Sequence, residues 1–187
     1  LSPVAQEWFR RGRTYNVNGY DMFAIVEGDE KSALDTIVLF HGFPTSSFDY
    51  HRSLDHLRRS GYRVVMFDHL GFGFSDKPTD NFVYSMADHA ENALDLLRQL
   101  GIRRAHVVAH DMGDSVLTEI LARRQRGLLP DYFDDFFKSV TFTNGGMRYD
   151  LIQFRLSQRL LQIPYVGEFL ASDVASRLPE SVLRKIK

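Results

Sequence analysis

The sequence predicts an α/β protein built on a mostly parallel sheet that begins with an antiparallel hairpin. Short apolar runs rich in β-branched residues alternate four times along the chain with segments of helical periodicity. Such alternation is typical of parallel strands joined by helices that cover both faces of a sheet. Ahead of these runs, Asn18-Gly19 separates two strand-like segments within residues 14–27. That dipeptide favours the tight turn of a hairpin.

The parallel strands are expected at runs that carry few polar residues, as in strands buried on both faces. The expected strands are 36–40, 63–68, 106–110 and 139–143, and the expected helices are 46–59, 85–100 and 112–126. Gly61 is suited to end the first helix. Ser85, with Asp88 three residues later, is a variant of the capping box and predicts the start of the second.

The pattern changes after Gly145-Gly146, and this change divides the chain. Residues 147–187 carry apolar side chains at helical spacing, interrupted at Pro164 and Pro179, and contain no strand-like run. We therefore expect residues 1–146 to form the N-terminal part of the α/β core. Residues 147–187 are expected to begin a helical cap over the sheet.

The composition excludes several classes of function. Among 187 residues, 23 Lys and Arg stand against 24 Asp and Glu, so there is no basic excess to attract nucleic acid. Without cysteine, thiolate metal sites and Cys nucleophiles are excluded. The histidines show no metal-binding spacing, and no apolar run reaches the ~18 residues of a membrane span. We expect no metal, no cofactor, no nucleic acid partner and no transmembrane segment.

Three loops follow predicted strands at the edge where parallel sheets form their ligand crevice. They are residues 41–44, 68–75 and 109–114. The last has a small residue, then His110, then Asp111 at the apex, and Gly113 two residues later. This order suits a sharp strand-to-helix turn that projects its apex side chain into the crevice. Asp111 could equally be the N-cap of the next helix, so this motif alone leaves both interpretations open.

Together these motifs resemble the α/β-hydrolase superfamily, in its aspartate-nucleophile branch of epoxide hydrolases and haloalkane dehalogenases. The resemblance is carried by LFHGFPTSS at 39–47, LGFGFSDKP at 70–78, HDMGD at 110–114 and NGG at 144–146. Within that branch these segments are most similar to the mesoderm-specific transcript group. The resemblance implies an α/β-hydrolase fold and an intracellular location associated with the endoplasmic reticulum.

The resemblance also implies a role for each loop. Asp111 would attack a substrate carbon that bears a leaving group and form a covalent ester, which a histidine-activated water then hydrolyses. The backbone N–H groups of Phe43 and Met112 would form the oxyanion hole. Five further residues would support these loops: His41, Gly42, Pro44, His110 and Gly113.

The expected activity is therefore that of an epoxide hydrolase-like enzyme acting on a small or lipid-like substrate. The expected pocket residues are Phe40, Phe72, Phe74, Tyr149 and Tyr165. Halide release is disfavoured, because Phe43 and Met112 stand where the dehalogenases carry Asn and Trp donors. Two alternatives stay open: a lipid acyltransferase role at an intracellular membrane, and a non-catalytic binding member of the fold.

All seven histidines precede Asp111. In the superfamily the acid and the base histidine follow the nucleophile, so the resemblance implies that both lie beyond Lys187 and that the chain is an N-terminal portion, inactive as it stands. On the expected helices, His51, His56 and His89 are predicted to face solvent. Asp114 places a second negative charge beside Asp111 and is expected to raise a carboxyl pKa there.

Overall fold

The computed structural model describes residues 1–29, 34–79, 82–146, 159–160 and 162–167. The chain divides into two compact units, Leu1–Met147 and Arg148–Lys187. Most of the predicted cap at 147–187 falls outside the described residues, so the boundary between core and cap stays a prediction. The sheet and its helices belong to the first unit.

A six-stranded sheet forms the centre of the first unit. Its strands are β1 (Arg13–Val17), β2 (Tyr20–Glu27), β3 (Thr36–Phe40), β4 (Arg63–Phe67), β5 (Ala105–His110) and β6 (Phe137–Thr143). They lie in the order β1-β2-β4-β3-β5-β6. The β1–β2 and β2–β4 pairs are antiparallel, and the remaining pairs are parallel. The predicted fold class, a mostly parallel sheet with an N-terminal antiparallel hairpin, is confirmed.

The turn of the β1–β2 hairpin is the one that the sequence predicts. Asn18 and Gly19 have φ angles of 54° and 87°. Two consecutive positive φ angles are what a type I′ turn requires, and the twist of that turn matches the twist of the paired strands. The local dipeptide therefore fixes the register, in which Val17 pairs with Tyr20.

The α-helices within the described residues are α1 (Pro3–Arg11), α2 (His51–Arg59), α3 (Met86–Gln99) and α4 (Met112–Gln125). None of these described helices combines the length and apolarity needed to cross a lipid bilayer. Helix α3 begins with the predicted capping box, in which Ser85 and Asp88 each accept a backbone N–H from the other. The helix predicted over 46–59 begins instead with a 3₁₀ turn at Ser47–Tyr50.

Helices cover both faces of the sheet, as predicted, because alternate strand residues point to opposite sides. On one face, Phe23 packs in a cluster with Trp8 of α1 and Leu54 of α2. On the other face, Met22 packs in a larger cluster with residues of α3 and with Leu117 of α4. Helix α4 packs on the second of these faces, and it begins directly after the end of β5, where Asp111 lies.

Helix α1 is not predicted by the sequence patterns. Ser2 caps it by accepting a hydrogen bond from Ala5 N (3.2 Å), and Pro3 follows. Its one buried side chain is Trp8, whose Nε1 donates to Ser47 Oγ (3.2 Å). The helix is nine residues long, and its apolar residues Val4, Ala5, Trp8 and Phe9 form a stripe of only about two turns. The Ser-Pro start was the available signal.

The prediction that His89 faces solvent is wrong. Its side chain is 2% exposed, and its ring lies 5.3 Å from that of His69 and 6.2 Å from that of Phe82. Helix α3 packs against the loop after β4 as well as the sheet, so its buried face is wider than its apolar stripe. His56 is exposed as predicted, whereas His51 is partly buried and stacks on Phe48.

Candidate active site

Asp111 occupies the turn between β5 and α4, with φ 53° and ψ −115°. A positive φ is uncommon for a residue other than glycine and stores backbone strain. Two main-chain hydrogen bonds hold the turn. Asp111 N donates to the carbonyl of Thr143 (3.1 Å), and the carbonyl of Asp111 accepts from Asp114 N (3.1 Å). The strained turn directs the Asp111 side chain toward the loop that follows β3.

One carboxylate oxygen of Asp111 accepts two backbone N–H groups. Oδ1 lies 2.9 Å from Phe43 N and 2.7 Å from Met112 N. These are the two N–H groups that the sequence resemblance assigns to an oxyanion hole, and they converge on a single atom. Converging donors stabilise negative charge on that atom. The bond from Met112 also makes Asp111 the N-cap of α4, so the two interpretations of this residue are compatible.

The Gly42–Phe43 peptide is held so that its N–H faces Asp111. The carbonyl of Gly42 accepts from Thr45 N (3.2 Å) and lies 2.8 Å from Nδ1 of His41. In a planar trans peptide the C=O and N–H point in opposite directions. Fixing this carbonyl therefore aims the N–H of Phe43 at Asp111. The next peptide bond, Phe43–Pro44, is cis.

His41 is buried, and both of its ring nitrogens are engaged. Nε2 accepts from His69 N (2.9 Å), which leaves Nδ1 to carry the proton and donate to the carbonyl of Gly42. Burial lowers the pKa of His41, which favours this neutral ring. His41 therefore makes the hydrogen bond expected of a residue that supports the loop, and neither nitrogen is free to act as a base.

Two glycines allow these loops to approach one another. A Cβ on Gly42 would lie 2.5 Å from the Cβ of Asp111 and 3.0 Å from Nδ1 of His110. A Cβ on Gly113 would lie 2.8 Å from carbonyl oxygens at the end of β3. Side chains at these positions would push the Asp111 turn away from β3. The structure thus brings the first and third predicted loops together, with the His110 ring packed beside Gly42.

Asp68 organises the second predicted loop, a role that the sequence reasoning missed. Its Oδ1 accepts from Ser47 N and its Oδ2 from Phe74 N, both at 2.7 Å. A Cβ on Gly73 would overlap Oδ2, so the loop closes directly over the carboxylate. Asp68 ties the segment after β3 to the loop after β4. The available signal was a carboxylate directly after a buried strand and ahead of a glycine-rich loop.

Asp114 is a second buried carboxyl group, one helical turn after Asp111. Burial is the largest influence on its pKa and raises it; the N–H of Thr143 and the ring of His110 partly offset this effect, and the charge of Asp111 adds to it. The expected raised pKa therefore comes mainly from desolvation rather than from like charge. Within the described residues, no three His, Asp or Glu side chains are grouped so as to hold a metal ion.

The predicted pocket phenylalanines lie in three different environments. Phe72 packs its ring 6.0 Å from that of Phe43, which is 50% exposed beside Asp111. Phe40 is 1% exposed and lies inside the core of the sheet. Phe74 faces α1, with its ring 5.1 Å from that of Phe9. Of the three predicted phenylalanines, Phe72 is the one that packs against Phe43, whose backbone N–H reaches Asp111.

The two predicted pocket tyrosines are not placed beside Asp111 by the described structure. Tyr149 lies outside the described residues. Tyr165 belongs to the second unit, where its side chain is 83% exposed. Their roles stay predictions.

Comparison with known proteins shows that the site lies within a segment that matches a known protein family. The family model described as the alpha/beta hydrolase fold matches residues 35–145. That range contains β3 to β6 and all three loops described above. Its start at β3 and its end at the loop after β6 coincide with the parallel part of the sheet.

Curated proteins and solved structures show related similarity. The chain is 36% identical over 167 residues to the mesoderm-specific transcript homolog protein of Bos taurus, covering 87% of this chain and 48% of that protein. It is 30% identical over 165 residues to epoxide hydrolase 3 of Xenopus tropicalis, covering 83% and 42%. The structure resembles epoxide hydrolase A from Mycobacterium thermoresistibile with a TM-score of 0.52 and 26% identity, over 58% of this chain and 33% of that one. The chain spans about half the length of its curated relatives.

Proposed function

Because the chain belongs to the α/β-hydrolase fold family, we propose that its protein is a hydrolase in which Asp111 forms a covalent ester with an epoxide. The convergence of the Phe43 and Met112 N–H groups on Oδ1 of Asp111 carries the proposal. An N-cap requires a donor only from its own helix. The second donor comes from a loop 68 residues earlier in the chain, which a capping role does not explain.

The first step uses the other carboxylate oxygen. Oδ2 of Asp111 attacks a ring carbon of the epoxide, the ring C–O bond breaks, and the electron pair goes to the ring oxygen, which takes up a proton. The product is an ester in which Oδ1 is the carbonyl oxygen. The two N–H groups therefore hold Oδ1 in place while Oδ2 reacts, which orients the nucleophile before the substrate arrives.

In the second step, negative charge develops on Oδ1 of Asp111, the atom to which both N–H groups already donate. Water attacks Cγ of Asp111 and loses a proton to a base, and the negative charge passes to Oδ1, where Phe43 N and Met112 N stabilise it. Collapse of this intermediate expels the diol oxygen, which is protonated, and restores the carboxylate. The net reaction is epoxide plus water to diol. His41 cannot be the base because both its nitrogens are engaged, so the identity of the base histidine stays a prediction.

The side chains beside Asp111 favour an uncharged substrate. Phe43 is half exposed there and packs edge-on against Phe72. Aromatic surface of this kind binds apolar groups and offers no hydrogen bond to a carboxylate or a phosphate. We therefore propose a small or lipid-like epoxide, which agrees with the similarity to epoxide hydrolase 3.

Isotope labelling tests the ester directly. The full-length protein would turn over excess styrene oxide in H₂¹⁸O, and mass spectrometry would follow the tryptic peptide 105–123, which contains Asp111. Because the water attacks Cγ, the Asp111 carboxylate gains ¹⁸O at each turnover. The Asp111→Asn variant and an incubation without epoxide are the controls. Diol formation without label in this peptide would mean that water attacks the epoxide directly, and the proposal would fail.

The same measurements separate the alternatives. A lipid acyltransferase at the endoplasmic reticulum would pass an acyl group from one lipid to another, and would convert no epoxide to diol. A non-catalytic binding member would neither form diol nor incorporate label. The non-catalytic alternative leaves the second N–H on Oδ1 of Asp111 without a chemical reason, whereas an acyltransferase could use such donors and is separated by the absence of diol.

A further inference from the structure

Asp114 is a buried carboxyl group whose oxygens are only partly satisfied. Its side chain is 0% exposed. Oδ1 lies 3.4 Å from Thr143 N, and Oδ2 has no hydrogen-bond partner within the described residues. Buried carboxyl oxygens nearly always have partners, and Asp68 has two close ones in the neighbouring loop. Asp114 therefore requires an explanation that differs from the loop-organising role of Asp68.

Thr143, at the end of β6, connects Asp114 to the Asp111 turn. Its carbonyl accepts the N–H of Asp111 (3.1 Å), and its N–H points to Oδ1 of Asp114. Its hydroxyl donates to the carbonyl of Ala109 (2.8 Å). One residue thus holds the main chain of Asp111 and the side chain of Asp114, so a displacement of the Asp114 carboxyl group is transmitted to the turn.

The loop after β6 closes over Asp114. A Cβ on Gly145 would overlap Oδ2 and would lie 2.7 Å from the Cβ of Asp114. The free oxygen therefore rests against glycine backbone instead of solvent. An ionised carboxylate in this position would lose its hydration without gaining a close donor, and such a charge is costly to bury.

The titratable groups around Asp114 do not compensate such a charge. Within the part of the chain that the structure describes, three face it: Asp111 in the turn, His110 at the end of β5, and Tyr50 in the 3₁₀ turn after β3. Asp111 opposes ionisation of Asp114 by like charge. Burial raises the pKa of Tyr50 and keeps it neutral. His110 favours the ionised form of Asp114, but the effect of burial is larger.

We propose that Asp114 is a positioning residue that works in its neutral form: the uncharged carboxyl group holds the end of β6 against the Asp111 turn, and its ionisation slows the reaction at Asp111. This inference rests on the proposed function. Ionisation would act in two ways. It draws Oδ2, which has no donor, toward water although the Thr143 N–H still favours a charged Oδ1, and it opposes the negative charge that develops on Oδ1 of Asp111 during ester hydrolysis.

The pH dependence of kcat tests the proposal in the full-length protein. Asp114→Ala removes the acceptor for Thr143 N and lowers kcat at least tenfold at every pH. Asp114→Asn keeps an uncharged acceptor of the same shape, restores most of that loss, and lacks the alkaline decline that the wild type shows. Asp134→Asn, at an exposed position ahead of β6, is the matched control and keeps the wild-type profile. An alkaline decline in Asp114→Asn with the wild-type midpoint overturns the proposal.

A second measurement does not depend on activity. The carboxyl ¹³C shift of Asp114 in the wild type reports its ionisation directly, without any substitution. A titration midpoint above the ordinary aspartate value of about 4 is expected. A midpoint at or below that value overturns the inference, even if Asp111 proves to be the nucleophile. A raised midpoint in a protein without epoxide turnover would overturn the proposed function and leave the neutral carboxyl group established.

Discussion

Lowering the pH below about 6.5, the usual pKa of histidine, is expected to destabilise the protein, because three neighbouring histidines are buried in uncharged form. The rings of His41 and His69 lie 4.7 Å apart, and those of His69 and His89 lie 5.3 Å apart. Both nitrogens of His69 and Nδ1 of His89 have no hydrogen-bond partner within the described residues. Protonating any of these rings places a positive charge next to another imidazole, away from water.

The size of the effect follows from proton binding. Burial lowers the pKa of all three histidines in the folded protein. Between about 6.5 and those lowered values the unfolded chain binds more protons, so the free energy of unfolding falls as the pH falls. Each histidine that stays neutral in the fold lowers the free energy of unfolding by about 1.4 kcal/mol at pH 5.5, so the three together set an upper limit of about 4 kcal/mol. A typical domain is stable by about 5–15 kcal/mol, so this loss is large.

Urea unfolding at pH 7.5, 6.5 and 5.5 measures this loss. The slope of unfolding free energy against pH gives the number of protons taken up, which should approach three in the wild type. His89→Gln should reduce the loss by about one third, to about 3 kcal/mol at pH 5.5. His56→Gln, at an exposed site, is the control and should leave the loss unchanged. An equal loss in wild type and His89→Gln would refute the reasoning, as would a midpoint that does not move with pH.

Three further predictions concern the loops and Asp114. Gly42→Ala brings a Cβ to 2.5 Å from the Cβ of Asp111, so it should abolish turnover and lower the free energy of unfolding by about 2 kcal/mol, as overpacking does; unchanged turnover would show that the turn tolerates displacement. Asp68→Asn places an amide N–H against the N–H of Ser47 or Phe74 and should cost about 2–3 kcal/mol in urea unfolding. Asp114→Asn should behave oppositely, gaining melting temperature over the wild type as the pH rises above about 4, because only the wild type must ionise a buried carboxyl group. A loss of stability in both Asn variants, independent of pH, would contradict that distinction.

The elements that the sequence predicts well are those whose signal is local. The Asn18-Gly19 turn and the Ser85 capping box are set by residues a few positions apart, and both form as predicted. Helix α1 has only its Ser-Pro start as a local signal, because the contacts that hold it are distant in the chain: Trp8 donates to Ser47 across 39 residues, and Phe9 packs on Phe74. His89 is mispredicted as exposed for the same reason. It is buried against His69 in the loop after β4, and the helical pattern of α3 holds no information about that loop.

The same distinction applies to the candidate site: some of its features have a signal in the sequence, and others depend on contacts between distant loops. Motif order identifies Asp111, Phe43 and Met112, because a strand-to-helix turn and a loop after a strand have recognisable spacing. Which oxygen receives the two N–H groups depends on the path of the Gly42–Phe43 peptide, and this path is fixed by His41 through contacts that no spacing encodes. The hydrogen bonds of Asp68 and the unpartnered oxygen of Asp114 become visible only when the loops are assembled.

The buried titratable groups around Asp111 share a consequence for the pH range of the protein. His41, His69 and His89 are neutral because burial lowers their pKa values, so lowering the pH destabilises the fold. Burial raises the pKa of Asp114, so raising the pH favours its ionised form and, on the proposal above, disturbs the Asp111 turn. Both shifts have one physical cause, the exclusion of water from the layer beneath the loops, whereas Phe43, whose N–H donates to Oδ1 of Asp111, is half exposed. A substitution that admits water to this layer should therefore widen the pH range of stability and weaken turnover together, whereas a merely loosened core would lose stability at every pH.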